Sequence, residues 1–250
     1  MSFEDPNFIL MEAKLVISKL DGIKEDFKRT QGLVVPSKGW SGGSALLWKE
    51  DLKVDVQSYS DSHIDTIVGH GDDGQEWRLT SFYDNPETSK KEESWLLLKR
   101  LSRLNSMPWV CLGDFNELMN DGEKEGGSAR LVRQMEIFCK VINSCNLCNF
   151  GYIGQDYTWS RRLGSRGWVK KRLDKALVST NWAASFPQMQ LHHKLKSSSD
   201  HCVLILKDVQ NNKQNRRWKK LFRFEEMWLK EESCARVVED AWHKGVSKES

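Results

Sequence analysis

The chain has 250 residues, of which 39% are hydrophobic and 29% charged, with a formal net charge of +3. At this length a single domain buries roughly three quarters of its unfolded surface, so stability requires neither disulfides nor a structural metal. The composition excludes collagen-like and disordered chains, and eleven tryptophans favour a packed core over a linker.

Phe8–Met11 reads as a buried strand, and a helical pattern follows over 18–27. Short β-like runs come next at 32–35, 44–48, 52–58, 63–69 and 76–83. Leu52/Val54/Val56 and Trp77/Leu79/Ser81 alternate as half-buried strands do, and Gly71-Asp72-Asp73-Gly74 makes a hairpin turn. Residues 87–104 read as a helix burying Trp95, Leu98, Leu101 and Leu104. A strand at 109–112 and an amphipathic helix at 131–145 (Met135, Phe138, Ile142, Cys145) come after it. Further β-like pieces lie at 157–160, 172–179 and 202–206. Strands and helices interleave without strict βαβ alternation, which favours a mixed α/β sandwich over a doubly wound sheet. One domain therefore covers 1–206. A polar, basic linker occupies 207–220, and a helical segment with Trp228, Val238 and Trp242 falls in 221–250.

The net charge hides an asymmetry: residues 1–125 hold 15 Lys/Arg against 23 Asp/Glu, and residues 126–250 hold 23 against 12. Such a division marks either a polyanionic partner or a basic face that keeps the protein soluble. The N-terminus lacks the basic and apolar regions of a signal peptide, and no apolar run is long enough to span a bilayer. A nuclear or cytoplasmic protein without membrane contact is expected. Cys145 and Cys148 form a CxxC pair, but no second pair follows at zinc spacing, so buried reduced thiols are favoured over a metal site.

Several polar residues sit at strand ends: Glu12, Asp114 and Asn116, Asp174, and Asp200 with His201. Oxygen ligands of this kind suit Mg²⁺ or Mn²⁺, and a His beside an Asp can act as a base or bind a phosphate oxygen. Each residue alone also reads as a turn, a cap or a surface group, and spacing does not show that they converge.

The strings PNFILMEAKL, SGGSALLW, WRLTSFYDNPE, WVCLGDFNE, YTWS, KRLDKALVS and SSSDHCVLIL occur in that order over about residues 7–206. Together they resemble the endonuclease/exonuclease/phosphatase (DNase I-like) superfamily. The resemblance is most specific to the apurinic-endonuclease-like domain of plant LINE-type non-LTR retrotransposons, and GDFN and SDHC are its sharpest marks. It implies a four-layered α/β sandwich and a Mg²⁺- or Mn²⁺-dependent DNA endonuclease that hydrolyses phosphodiesters. By the same resemblance Glu12 and Asp200 belong to the metal, and Asp114 orients or deprotonates the attacking water. Asn116 positions that water and the phosphate, while His201, paired with Asp174, contacts the scissile phosphate. Tyr83 bonds a phosphate oxygen, although a half-buried aromatic at a strand end is its plainer reading. Trp159 reads as packing rather than a base-stacking platform. The basic stretch Arg161, Arg162, Arg166, Lys170, Lys171, Arg172 and Lys175 is a candidate contact for the backbone of duplex DNA. The helical segment after 220 resembles the one that precedes a reverse transcriptase, a domain this chain lacks.

Three departures stand out. Family members carry a strand and helix ahead of the Glu12 segment, and that strand ends in an asparagine at the metal and phosphate site. Its loss predicts an exposed sheet edge and impaired catalysis, and leaves open a catalytically inactive, nucleic-acid-binding remnant as the alternative. Asp84 stands where a glycine commonly follows the tyrosine, and its carboxylate would repel a phosphate if it pointed inward. Val203 replaces a usual proline, which a strand tolerates.

Overall fold

A computed structural model of the chain describes residues 8–12, 30–36, 44–50, 52–69, 75–164, 167–194 and 200–209. The expected helix at 18–27, the turn at 71–74, Arg166, nearly all of the linker and the segment 221–250 lie outside the described residues. The strands in chain order are β1 (Phe8–Glu12), β2 (Thr30–Val35), β3 (Ser44–Lys49), β4 (Lys53–Ser60), β5 (His63–Gly69), β6 (Trp77–Tyr83) and β7 (Trp109–Asp114). The short β8 (Lys124–Glu125), β9 (Leu147–Asn149) and β10 (Tyr152–Gly154) follow, then β11 (Trp159–Arg162), β12 (Trp168–Lys171), β13 (Asp174–Ser179), β14 (Met189–Lys194) and β15 (Val203–Asp208). The helices are α1 (Lys91–Ser102), α2 (Val132–Ser144) and α3 (Thr180–Ser185).

Two six-stranded sheets are built from these strands, in the orders β10-β14-β15-β1-β3-β2 and β4-β5-β6-β7-β13-β9. Their facing sides share one core, in which Phe8, Leu46, Trp48, Leu204 and Leu206 of the first sheet meet Ile64, Trp77, Leu79, Val110, Leu112 and Val178 of the second. The other face of the second sheet packs Cys111 and Leu177 against Leu98 and Leu101 of α1 and Phe138, Val141 and Ile142 of α2. Two facing sheets with helices on an outer face make an α/β sandwich. No helix among the described residues is long and apolar enough to cross a membrane.

β1 is not an edge strand: Phe8–Leu10 pair with Leu206–Leu204 of β15 on one side, and Phe8–Glu12 pair with Trp48–Ser44 of β3 on the other. Among the described strands β1 therefore leaves no edge open, because β15 fills the side away from β3, and the edges of this sheet are β10 and β2. β6 departs from expectation. The alternation of Trp77, Leu79 and Ser81 predicts a strand wet on one face, yet all seven residues are buried. Helix α1 lies over the polar face, where Arg78 donates to both carboxylate oxygens of Asp65 (2.8 and 2.9 Å) and to the Leu101 carbonyl (2.6 Å). Thr80 adds a bond to Asp65 at 2.6 Å, so the buried charges are paired and hydrogen-bonded. Leu104 is 57% exposed because α1 ends at Ser102. Of the CxxC cysteines, Cys145 is buried and Cys148 exposed, both as free thiols.

Two histidines within this fold give it a pH response. Burial lowers the pKa of His63 on β5 and of His193 on β14, against the opposing pull of Asp65 and of the Gln155 carbonyl respectively. His193 stacks on Tyr152 with centroids 4.4 Å apart, and its Nε2 has no hydrogen-bond partner among the described residues. Since both folded-state values lie below the unfolded value of 6.5, their stabilising contribution is complete above that pH and is lost as pH falls below it. The melting temperature should fall between pH 7.5 and pH 5.5, and His193→Phe should flatten the fall. An equally steep fall in that variant would remove His193 from the account.

Candidate active site

The site forms where three strands of the second sheet end in register. Tyr83 of β6, Asp114 of β7 and Asp174 of β13 are direct neighbours across the strands. They share the face of Leu112 and Val110, so they lie at one end of the cleft between the two sheets. Gly113 makes that register attainable. Its φ is +156°, and a Cβ there would lie 1.9 Å from the Phe82 carbonyl oxygen of the neighbouring strand, so β6 and β7 approach closely only with glycine at this point.

Beyond Asp114 the chain turns through Asn116, which adopts the left-handed region at φ +47°, a conformation asparagine tolerates better than most residues. Four polar contacts of Asn116 help fix the turn. Asn116 donates its backbone N–H to Asp114 Oδ1 (2.8 Å) and its Nδ2 to Asp114 Oδ2 (2.7 Å) and to the Asp84 carbonyl (2.9 Å). The Lys91 ammonium donates to the Asn116 carbonyl at 3.0 Å. His201, two residues ahead of β15, places its Nδ1 3.0 Å from Asp174 Oδ2. Asp174 is itself anchored by Thr158, whose Oγ1 accepts the backbone N–H groups of Leu173 (3.0 Å) and Asp174 (2.9 Å). Asp114, Asn116, Asp174 and His201, spread over 88 positions of sequence, thus meet at one place, with Tyr83 beside them.

Asp200 precedes His201 and accepts the Trp159 indole N–H on Oδ2 at 3.1 Å. Trp159 packs against Leu118, Met135 and Leu173, which matches its reading as a packing residue. Glu12 ends β1 opposite Ser44, on the side of the first sheet where β15 begins after His201; nothing further of its side chain is described. No three His, Cys, Asp or Glu side chains among the described residues converge on a metal-sized site. The donors near His201 are nevertheless carboxylates, and Mg²⁺ needs only one or two of these beside water and phosphate oxygens, so the donor chemistry fits.

Asp84 does not face the site. Its Oδ2 takes Lys91 Nζ at 2.9 Å and the Trp95 indole at 3.2 Å, both inside the protein, so the expected repulsion of a phosphate does not arise. Burial pushes the Asp84 carboxyl above its usual range, against the pull of Lys91. Glu117 shows the opposite balance. Burial would raise it, but Arg130, bonded to both its oxygens at 2.8 and 2.5 Å, and Lys91 hold it below the usual range.

The basic stretch divides in two. Arg161 and Arg162 of β11 are exposed, Lys170 pairs with Glu125 at 2.9 Å on the surface, and Lys171 lies 5.2 Å over the Trp159 ring. Arg172 is 9% exposed and its guanidinium is occupied by Glu123 and Tyr152, which removes it from a nucleic-acid face. Lys175 is likewise buried, with its ammonium on Glu123 Oε2 (3.2 Å) and on the carbonyls of Glu117 (2.8 Å) and Arg172. Sequence reasoning missed the buried charges that hold the site together, Lys91, Glu117 and Glu123, and the half-buried Arg130 that pairs with Glu117. Glu117 stands inside the WVCLGDFNE string, but nothing in its spacing distinguishes a buried carboxylate from a surface one.

The family model described as "Endonuclease/Exonuclease/phosphatase family" matches residues 7–201. Among solved structures, the endonuclease domain of TRAS1, a telomere-specific non-LTR retrotransposon, is 15% identical with a TM-score of 0.62, over 82% of this chain and all of that one. The AP endonuclease LMAP from Leishmania major is 15% identical with a TM-score of 0.53, over 83% of this chain and 80% of that one. The human Nocturnin catalytic domain is 16% identical with a TM-score of 0.50, over 80% and 79%. At these identities the likeness establishes the fold, a DNase I-like sandwich. No curated protein matches the chain.

Proposed function

This chain belongs to the endonuclease/exonuclease/phosphatase family, a family of nuclease- and phosphatase-type hydrolases, and on that premise we propose that it is a Mg²⁺- or Mn²⁺-dependent DNA endonuclease domain of retrotransposon origin. The observation that carries this reading is the contact between His201, just ahead of β15, and Asp174 at the start of β13, beside the Asp114–Asn116 turn. Asp174 fixes the tautomer and orientation of the imidazole, which lets His201 meet the scissile phosphate as a hydrogen-bond donor. Asp114 orients the attacking water and accepts its proton. Asn116 positions water and phosphate, and Tyr83 supplies a bond to a phosphate oxygen. Glu12 and Asp200 would hold the metal, which when bound stabilises charge on the phosphate and the leaving oxygen.

Nicking of supercoiled plasmid tests the reading. Wild type should nick with Mg²⁺, stop with EDTA, and exceed an Asp200→Ala/His201→Ala double variant. A wild type no faster than the double variant would leave the catalytically inactive, nucleic-acid-binding alternative.

Arg161, Arg162, Lys170 and Lys171 are the proposed contacts to the DNA backbone. If three or four of them neutralise phosphates, log K should fall against log salt with a slope of about −3. Arg161→Ala/Arg162→Ala should flatten that slope by about two, whereas Arg172→Ala should weaken folding without changing it. A slope indifferent to the first pair would remove β11 from the interface.

A further inference from the structure

We propose that Lys91, with Asp84 as its seat, is a positioning residue for the catalytic turn Asp114–Glu117. The inference rests on the phosphodiesterase reading for its kinetic meaning, but its geometry stands apart from it.

Lys91 opens α1, 23 positions before Asp114, and its side chain is 2% exposed. A fully buried ammonium is held only where every direction around it meets an acceptor. Here these are Asp84 Oδ2 (2.9 Å), the carbonyls of Asn116 (3.0 Å) and Phe115 (3.5 Å), and Glu117 Oε2 (3.6 Å). Three of the four belong to the turn that follows Asp114. The turn needs such support, because Asn116 sits at a left-handed φ, two residues beyond the end of β7.

Asp84 completes the device from the other side. Its backbone N–H donates to the Asp114 carbonyl (2.8 Å), its own carbonyl accepts Asn116 Nδ2 (2.9 Å), and its side chain binds Lys91. Residues 84 and 91 therefore grip both ends of the Asp114–Asn116 segment without reaching the cleft. A glycine at position 84 would keep the backbone bonds and lose the carboxylate that neutralises Lys91. The aspartate here is a structural partner, and its charge is directed at α1 rather than at substrate.

The test compares Lys91→Met, Lys91→Arg and wild type as the full chain, at a temperature where circular dichroism shows all three folded. Methionine keeps the length and removes charge and donors, while arginine keeps both. Lys91→Met should lower kcat for nicking at least about tenfold and move KM by less than about threefold, with Lys91→Arg recovering to within about threefold of wild type. In an Asp114→Asn background the same Lys91→Met change should cost less than about twofold, since its effect passes through Asp114. Equal slowing in both backgrounds overturns the proposal, because a general loss of folded protein would act in this way.

Hydrogen exchange gives a readout independent of activity. Amides of 113–118 should exchange faster in Lys91→Met and regain protection in Lys91→Arg, with β13 unchanged. If wild type does not nick, the phosphodiesterase reading falls and exchange alone decides. Unaltered exchange at 113–118 then overturns the positioning role.

Discussion

Asp114→Asn is expected to slow plasmid nicking by about 10²- to 10⁴-fold, the usual worth of a positioned general base, with a melting transition close to that of wild type. The amide keeps the shape of the carboxylate, and its oxygen can still accept one Asn116 donor, so the turn is preserved while the proton acceptor is lost. His201→Ala should fall in the same range, because it removes the donor aimed at the phosphate and leaves Asp174 without its partner. The two losses should combine to much less than their product, since residues that act on one transition state are non-additive. Single-turnover kinetics with excess enzyme measures all three variants. Wild-type rates in either single variant would contradict the assigned roles.

Lys175→Met is expected to destabilise the fold by about 3–5 kcal/mol, the usual cost of breaking a buried ion pair from one side. The ammonium is 1% exposed, and burial draws its pKa below the ordinary lysine value while Glu123 pulls the other way. Without it, Glu123 retains Arg172 (3.1 Å) and the Met119 N–H (2.8 Å), but the carbonyls of Glu117 and Arg172 lose a common donor. Those carbonyls belong to the two loops that present Asn116 and Asp174, so the loss should extend to activity. Urea unfolding measures the effect as a lower midpoint at unchanged slope. A midpoint within experimental error of wild type would mean that Arg172 alone compensates Glu123.

Much of the architecture is legible in the residues, and what is not has identifiable causes. The strands with long apolar runs, β1, β3, β5 and β7, stand within two residues of where periodicity places them. β14 escapes because its inward positions are Met189, Leu191 and His193, and a buried histidine reads as polar. β12 escapes because Trp168-Val-Lys-Lys171 offers one buried residue and two lysines. The catalytic set is visible as residue types at strand ends, yet its convergence is a property of register, which no local pattern encodes. Arg172 and Lys175 look like surface charges in a basic run. They lie inside because Glu123, some fifty positions earlier, supplies the countercharge, and sequence spacing carries no trace of that pairing.

The placement of β1 bears on how the molecule is made. Phe8 pairs with Leu206, so the innermost ladder of the first sheet joins residues near opposite ends of the described chain. Such non-local closure carries a large loop entropy before any contact repays it, and it slows folding. During synthesis the second sheet can assemble once β13 has emerged, whereas β1, paired with β3 on one side, must wait for residues 203–208 to satisfy the other. The nascent chain passes through a stage in which a hydrophobic strand is open to pairing with other chains, and its hazard is greatest before translation reaches β15.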